Sequence, residues 1–204
     1  MKTKGTLKTS ADLIQSMVAE SVRVKTQFFS ANAAQLAEVA EVIAHGFQAG
    51  HKVLLFGNGG SAADAQHIAA EFMGRFVAER DPLPALSLST DTSALTALGN
   101  DYGFEAVFSR QVMGLGQPGD TAVAISTSGN SPNVLRALET ARAKGMYTVG
   151  LTGETGGKMN DLVEVLFRVP SRYTPRIQET HIMIGHILCE LIDRLLIPDK
   201  YPRD

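Results

Sequence analysis

The chain has 204 residues, enough to bury one substantial core, and its 19 Lys and Arg against 21 Asp and Glu leave a net charge of -2, without the basic excess a nucleic-acid binder needs. A single cysteine, Cys189, excludes an intramolecular disulfide or a multi-cysteine zinc cluster and fits a reducing compartment. With no signal-like N-terminus and no apolar run long enough to cross a bilayer, the expectation is a cytoplasmic, soluble protein of one domain.

In chain order, Ala11 to Phe29 sets Leu13, Ile14, Met17, Val18 and Val22 at helical spacing, and Ala34 to Phe47 repeats the pattern with Leu36, Val39, Ile43 and Phe47. Two amphipathic helices are expected in a helical arm over residues 1–50, with loose ends at residues 1–10 and in the tail "PDKYPRD". From residue 51 the period shortens. "KVLLFG", "PALSLS", "DTAVAIS", "YTVGLT" and "EVLFRVP" read as five strands. Helical patterns over Ser61–Arg75, Glu105–Met113 and Pro132–Lys144 lie between them, and such alternation predicts an α/β fold, a doubly wound parallel sheet flanked by helices. The last helix, Ile177 to Ile197, is apolar around too much of its girth for one buried stripe, so a partner subunit is the simplest cover.

Ligands of open α/β sheets bind beyond the carboxyl ends of the strands, where helix N-termini offer free N–H groups. Two loops qualify: Gly57-Asn58-Gly59-Gly60-Ser61 and Ser126-Thr127-Ser128-Gly129-Asn130-Ser131. In the second, Ser131 stands at an N-cap position before Pro132, and Ser126, Thr127, Ser128 and Ser131 gather four hydroxyls fit to donate to a phosphate. Gly57, Gly59 and Ala62 also satisfy a loose dinucleotide fingerprint, but Asp91 lies about 30 residues beyond the loop where the ribose partner belongs about 20 residues on. That scheme leaves the second loop without a role, whereas a sugar phosphate uses both. One turn apart on the helix after the first loop, His67 and Glu71 can act on one small molecule or share one metal ion, and the apolar setting "IAAEF" makes Glu71 a candidate general base.

Over nearly its whole length the chain resembles the sugar isomerase (SIS) domain family, and most closely its phosphoheptose isomerase branch. The resemblance rests on "GNGGSA", "HIAAEFMGR", "GNDYGFEAVFSRQV", "ISTSGNS", "LTGETGGKM" and "RIQETHIMIGHIL". It implies a five-stranded, flavodoxin-like SIS fold with N-terminal helices and a long C-terminal helix. It further implies phosphate binding by Ser126, Thr127, Ser128 and Ser131, and sugar contacts from Asn58, Gly59, Gly60, Ser61, Arg75, Asn100, Asp101 and Gln178. Glu71 matches the family's acid/base carboxylate, His186 rather than His181 its catalytic histidine, and His67, Glu71, Gln178 and His186 the zinc ligands of some members. The implied reaction is conversion of sedoheptulose 7-phosphate to D-glycero-D-manno-heptose 7-phosphate through an enediol, in heptose synthesis for lipopolysaccharide or other surface glycans, by a homotetramer. Pro175 departs from the aspartate often found before the Arg-Ile-Gln triplet. "SAADAQHIAA", "STDTSALTAL" and "LLIPDK" are instead similar to the DnaA initiator-associating protein, which makes a non-catalytic module binding the DnaA replication initiator the alternative; that relative lacks the acid/base pair present here. Cys189 reads as a packing residue.

Overall fold

The computed structural model describes residues 9–201, so most of the loose ends expected at residues 1–10 and in "PDKYPRD" lie outside the described residues. Thr9 caps the first helix and Pro198–Lys200 forms a 3-10 turn, so those parts are not loose. Its elements are α1 (Ser10–Gln48), β1 (Val53–Gly57), α2 (Gly60–Met73), β2 (Ala85–Ser87), α3 (Thr92–Tyr102), α4 (Val107–Leu115), β3 (Thr121–Ile125), α5 (Pro132–Ala143), β4 (Tyr147–Thr152), β5 (Val165–Arg168) and α6 (Thr174–Leu196). All strands pair in parallel, in the order β2-β1-β3-β4-β5. The order reverses between β1 and β3, which puts the ligand crevice between the two expected anion loops.

Alternation along the strands divides the core. Val53 and Leu55 of β1, Val123 and Ile125 of β3 and Val149 and Leu151 of β4 face one side, where they pack with α1, α2 and α6. Leu54, Phe56, Ala122 and Ala124 face the other, against residues of α4 and α5 such as Phe108, Val112, Val134 and Leu138. Among the described residues no helix is long and apolar enough to cross a membrane.

Three expectations change. The two leading helices are one helix of 39 residues, because "SANAA" holds no glycine or proline, is rich in alanine, and lets the Asn32 amide donate back to the Phe28 carbonyl at 2.7 Å. Thr92–Tyr102 is a helix that periodicity does not reveal: none of its residues is buried, and Asp91, weighed above as a ribose partner, is its N-cap, accepting from Ala94 N at 2.9 Å. Most of the girth of α6 is covered within the chain, since Ile177, Ile184, Leu188, Cys189 and Ile192 join the core beside α1 and α2. What stays open is a stripe through Met183, Ile187 and Leu191, which with Phe29 and Leu36 of α1 lines an apolar groove of ≈ 550 Å³. The first turns of α1 also expose Leu13, Ile14, Met17, Val18 and Val22.

Candidate active site

β1 and β3 lie side by side and end in the two loops, which the Asn58 and Asn133 amides tie together by donating to each other's Oδ1 at 2.9 Å. In the second loop Ser131 holds the N-cap position with Pro132 behind it, yet its hydroxyl makes no cap bond and instead meets Ser126 Oγ at 3.0 Å. That gathers the hydroxyls of Ser126, Ser128 and Ser131 at the start of α5, where Pro132 has no N–H and the Val134 and Leu135 amides donate to Ser131 O, so of the first amides Asn133 N is the one among the described residues left for an anion. Ser126 is buried, Ser128 Oγ accepts from Asn130 N at 3.1 Å, and Gly129 takes φ +65°. The segment "LTGETGGKM" proves to be the floor of this loop. Gly153 N donates to Thr127 O at 3.0 Å, Met159 N to Gly129 O at 3.2 Å and Lys158 N to Asn130 Oδ1 at 3.0 Å. A Cβ on Gly129 would overlap the Gly156 carbonyl, so glycine is required there for both backbone angle and space.

Beside the loop opens a polar pocket of ≈ 310 Å³ whose walls include Thr127 and Ser128 with Thr155, Ser171, Arg172 and Thr174. These last four were not anticipated. Thr155 and the Ser171–Thr174 group come from two segments after β4 and β5 that no spacing rule links to Ser128. Arg172 spans the rim, its Nε donating to Glu154 at 3.0 Å.

The second half of the site lies where α2 and α6 pass close together. A Cβ on Gly185 would stand 2.5 Å from Cδ1 of Ile68, so the missing side chain at 185 permits the approach. The next residue, His186, points its Nε2 at His67 Nε2, 3.2 Å away, and His67 Nε2 is 3.1 Å from Glu71 Oε1. His67, Glu71 and His186 thus offer three ligand atoms within 4.8 Å of one another. A tetrahedral ion with bonds of about 2.0–2.1 Å has edges of about 3.3–3.4 Å, close to both short separations, and two neutral imidazoles with one carboxylate suit zinc. The single proton of a neutral ring nitrogen cannot serve both neighbours of His67, whereas a shared cation satisfies all three groups. Gln178 sits eight residues, about 12 Å of helix, before His186 and lays its amide against Gly60 at the start of α2.

Electrostatics separate the two histidines of α6. His181 is fully buried, its Nε2 faces the Thr152 carbonyl at 3.2 Å, and burial pushes its pKa down to about 4, which keeps it neutral. His186 is half-buried and opens onto the site. Asp64, one turn before His67, has a buried Oδ2 with no partner, and burial raises its pKa to about 6 against the lowering influence of His67. Burial, followed by the charges of Glu71 and Asp193, raises the Cys189 thiol to about 12, in keeping with a packing role.

Other expected contacts face solvent: among the described residues Arg75 reaches only Glu79, at 3.5 Å, and Asn100 donates to Asp101 Oδ1 at 2.8 Å on exposed α3.

Residues 17–153 match the SIS domain. The phosphoheptose isomerase of Aquifex aeolicus is 55% identical over 183 residues, covering 90% of this chain and 96% of that protein. Among solved structures, phosphoheptose isomerase GmhA from Neisseria gonorrhoeae superposes with a TM-score of 0.85 at 45% identity, over 91% of this chain and 99% of that one. A phosphoheptose isomerase from Francisella tularensis gives 0.88 at 38% identity, over 92% and 100%.

Proposed function

The chain belongs to the SIS-domain family and, within it, to the phosphoheptose isomerases, and from that premise we propose that it interconverts sedoheptulose 7-phosphate and D-glycero-D-manno-heptose 7-phosphate, a step in heptose synthesis for surface glycans. The observation that carries this reading is the meeting of His67, Glu71 and His186 over one point, on helices whose residues are more than a hundred positions apart.

Aldose–ketose exchange moves one proton between C1 and C2 and needs a base at carbon and an acid at oxygen. Glu71 supplies the base: its Oε1 faces His67, which leaves Oε2 to take the proton from C1 of the ketose and return it at C2. His186 supplies the partner that donates to the carbonyl oxygen as the enediol forms and recovers the proton from the neighbouring hydroxyl. Ser126, Thr127, Ser128 and Ser131, with the Asn133 amide at the start of α5, hold the phosphate and so place the carbonyl end of the sugar relative to Glu71. His67, Glu71 and His186, with Gln178 by resemblance, would hold a zinc ion, which when bound supplies Lewis-acid stabilisation of negative charge on the sugar oxygens. The alternative of a DnaA-binding module gives the assembled acid/base group no work, and identities of 50–66% to several phosphoheptose isomerases support the enzyme.

Two expected outcomes test parts of this reading. Ser128→Ala and Ser131→Ala each remove a hydroxyl donor and should raise KM for the sugar phosphate about tenfold with kcat nearly kept. An unchanged KM in both would place the phosphate elsewhere. The assembly is proposed as a homotetramer, supported by the apolar groove between α1 and α6 and by the exposed apolar first turns of α1. Native mass spectrometry should find four chains carrying four zinc ions, with the zinc lost in His67→Ala. A bare monomer contradicts both assembly and metal.

A further inference from the structure

Among the described residues, no side chain or left-handed glycine within the last turn of α2 closes its carbonyls: the C-cap, Gly74, has φ -91°, and the one backbone bond from beyond the helix runs from Leu83 N to the Phe72 carbonyl at 2.9 Å. Arg80 supplies the rest from beyond the helix. Its Nη2 donates to the Glu71 carbonyl at 2.9 Å, and its Nη1 to those of Phe72 at 2.8 Å, Gly74 at 3.2 Å and its neighbour Asp81 at 3.2 Å. A guanidinium at the negative end of a helix is also favoured by the helix dipole. The remaining edge turns to α6, where Nε donates to Asp193 Oδ1 at 2.6 Å. The Arg80 and Asp193 side chains are 3% and 0% exposed, so the pair is sealed.

Both ends of this bridge belong to the catalytic elements. Glu71, whose carbonyl Arg80 holds, carries the carboxylate assigned as the base. Asp193 lies seven residues after His186, two turns along α6 and on nearly the same face. Tyr201 OH lies 3.4 Å from the other Asp193 oxygen, and Lys200 Nζ donates to the Glu79 carbonyl, so the segment after α6 packs over the bridge. Gly185 against Ile68 sets how closely α2 and α6 approach. An apolar contact permits sliding, whereas a planar fork joined to four carbonyls and a carboxylate has one register.

We propose that Arg80 and Asp193 are positioning residues, a buried clamp that fixes the register of α2 against α6 and thereby brings His67 and Glu71 to His186. The general energetics favour this role over plain stabilisation, because desolvation largely offsets the attraction within a buried ion pair while its geometry remains specific. A register error of about 1 Å between reacting groups is enough to cost on the order of 100-fold in rate. The phosphate loop, on β3 and α5, does not touch the clamp.

The inference rests on the isomerase reading for its kinetic readout only, so a second readout is independent of turnover. Arg80→Lys keeps the buried cation for Asp193 but cannot reach the three carbonyls of Glu71, Phe72 and Gly74 at once; Asp193→Asn keeps the shape and removes the charge. At a temperature where circular dichroism shows each variant folded, kcat should fall about tenfold or more with KM within about twofold of wild type. In histidine-labelled protein, the nuclear Overhauser effect between the His67 and His186 rings, whose centroids are 5.0 Å apart, should weaken in the same variants. A merely structural pair predicts a lower Tm with unchanged kcat and an intact ring–ring signal, and that result in folded Arg80→Lys overturns the proposal. If wild type turned over no seven-carbon sugar phosphate, the isomerase reading would fail, and the ring–ring signal alone would decide the clamp.

Discussion

Glu71→Gln should lower kcat by about 100-fold or more, about 2.7 kcal/mol of transition-state stabilisation, while substrate still binds. The substitution keeps the side chain's size and its capacity to meet His67 but removes the lone pair that takes the proton from carbon. The loop proposed to hold the phosphate is joined through contacts among Ser126, Ser128, Asn130 and Ser131 that do not involve Glu71, so KM should stay within a few-fold of wild type. The pairing of lowered kcat with retained binding distinguishes loss of the base from collapse of the site. Turnover near wild type would remove Glu71 from the chemistry and leave its contact with His67 a surface ion pair of little consequence.

Gly129→Ala should disable the anion loop. A side chain at 129 must enter the left-handed region, at a cost of about 1–2 kcal/mol, and its Cβ would overlap the Gly156 carbonyl. Neither segment can yield cheaply: Met159 N bonds Gly129 O, Gly153 N bonds Thr127 O, and Asn130 Oδ1 accepts from Lys158 N. The loop must therefore shift by more than a hydrogen bond tolerates, and the hydroxyls of Ser126, Ser128 and Ser131 no longer converge. Calorimetry with inorganic phosphate should show affinity reduced about tenfold or more in a chain that remains folded, since the change is confined to the crevice. Wild-type affinity for phosphate in this variant would show that the anion binds away from Ser126–Ser131.

The sheet was legible because its strands are short apolar runs separated by helical periods, a pattern with few solutions besides a parallel sheet covered on both faces. What escaped was α3, whose burial is too slight to impose a period, and the continuity of α1, where "SANA" falls between the two apolar patterns but alanine and a backbone-bonded Asn32 carry the helix through. The gathering of Ser126, Ser128 and Ser131 could be read locally, and so could the approach of His67 to Glu71, because each lies within one turn or one loop. His186 could be chosen over His181 only through resemblance; in the structure His181 is sealed against Thr152 and His186 faces His67. Arg172 and Thr155 on the pocket wall, and Arg80 with Asp193 beneath the catalytic helices, depend on contacts between distant segments that no spacing encodes.

The account stands on Glu71 and His186 acting as one unit on a sugar phosphate. The most direct measurement is the initial rate of sedoheptulose 7-phosphate isomerisation by wild type, Glu71→Gln, His186→Asn and the double variant, each confirmed folded. Groups that work together are strongly non-additive. The predicted result is clear wild-type turnover, a fall of about 100-fold or more in each single variant, and little further loss in the double. Wild type that converts no sedoheptulose 7-phosphate, or single-variant losses that simply multiply in the double, would contradict it.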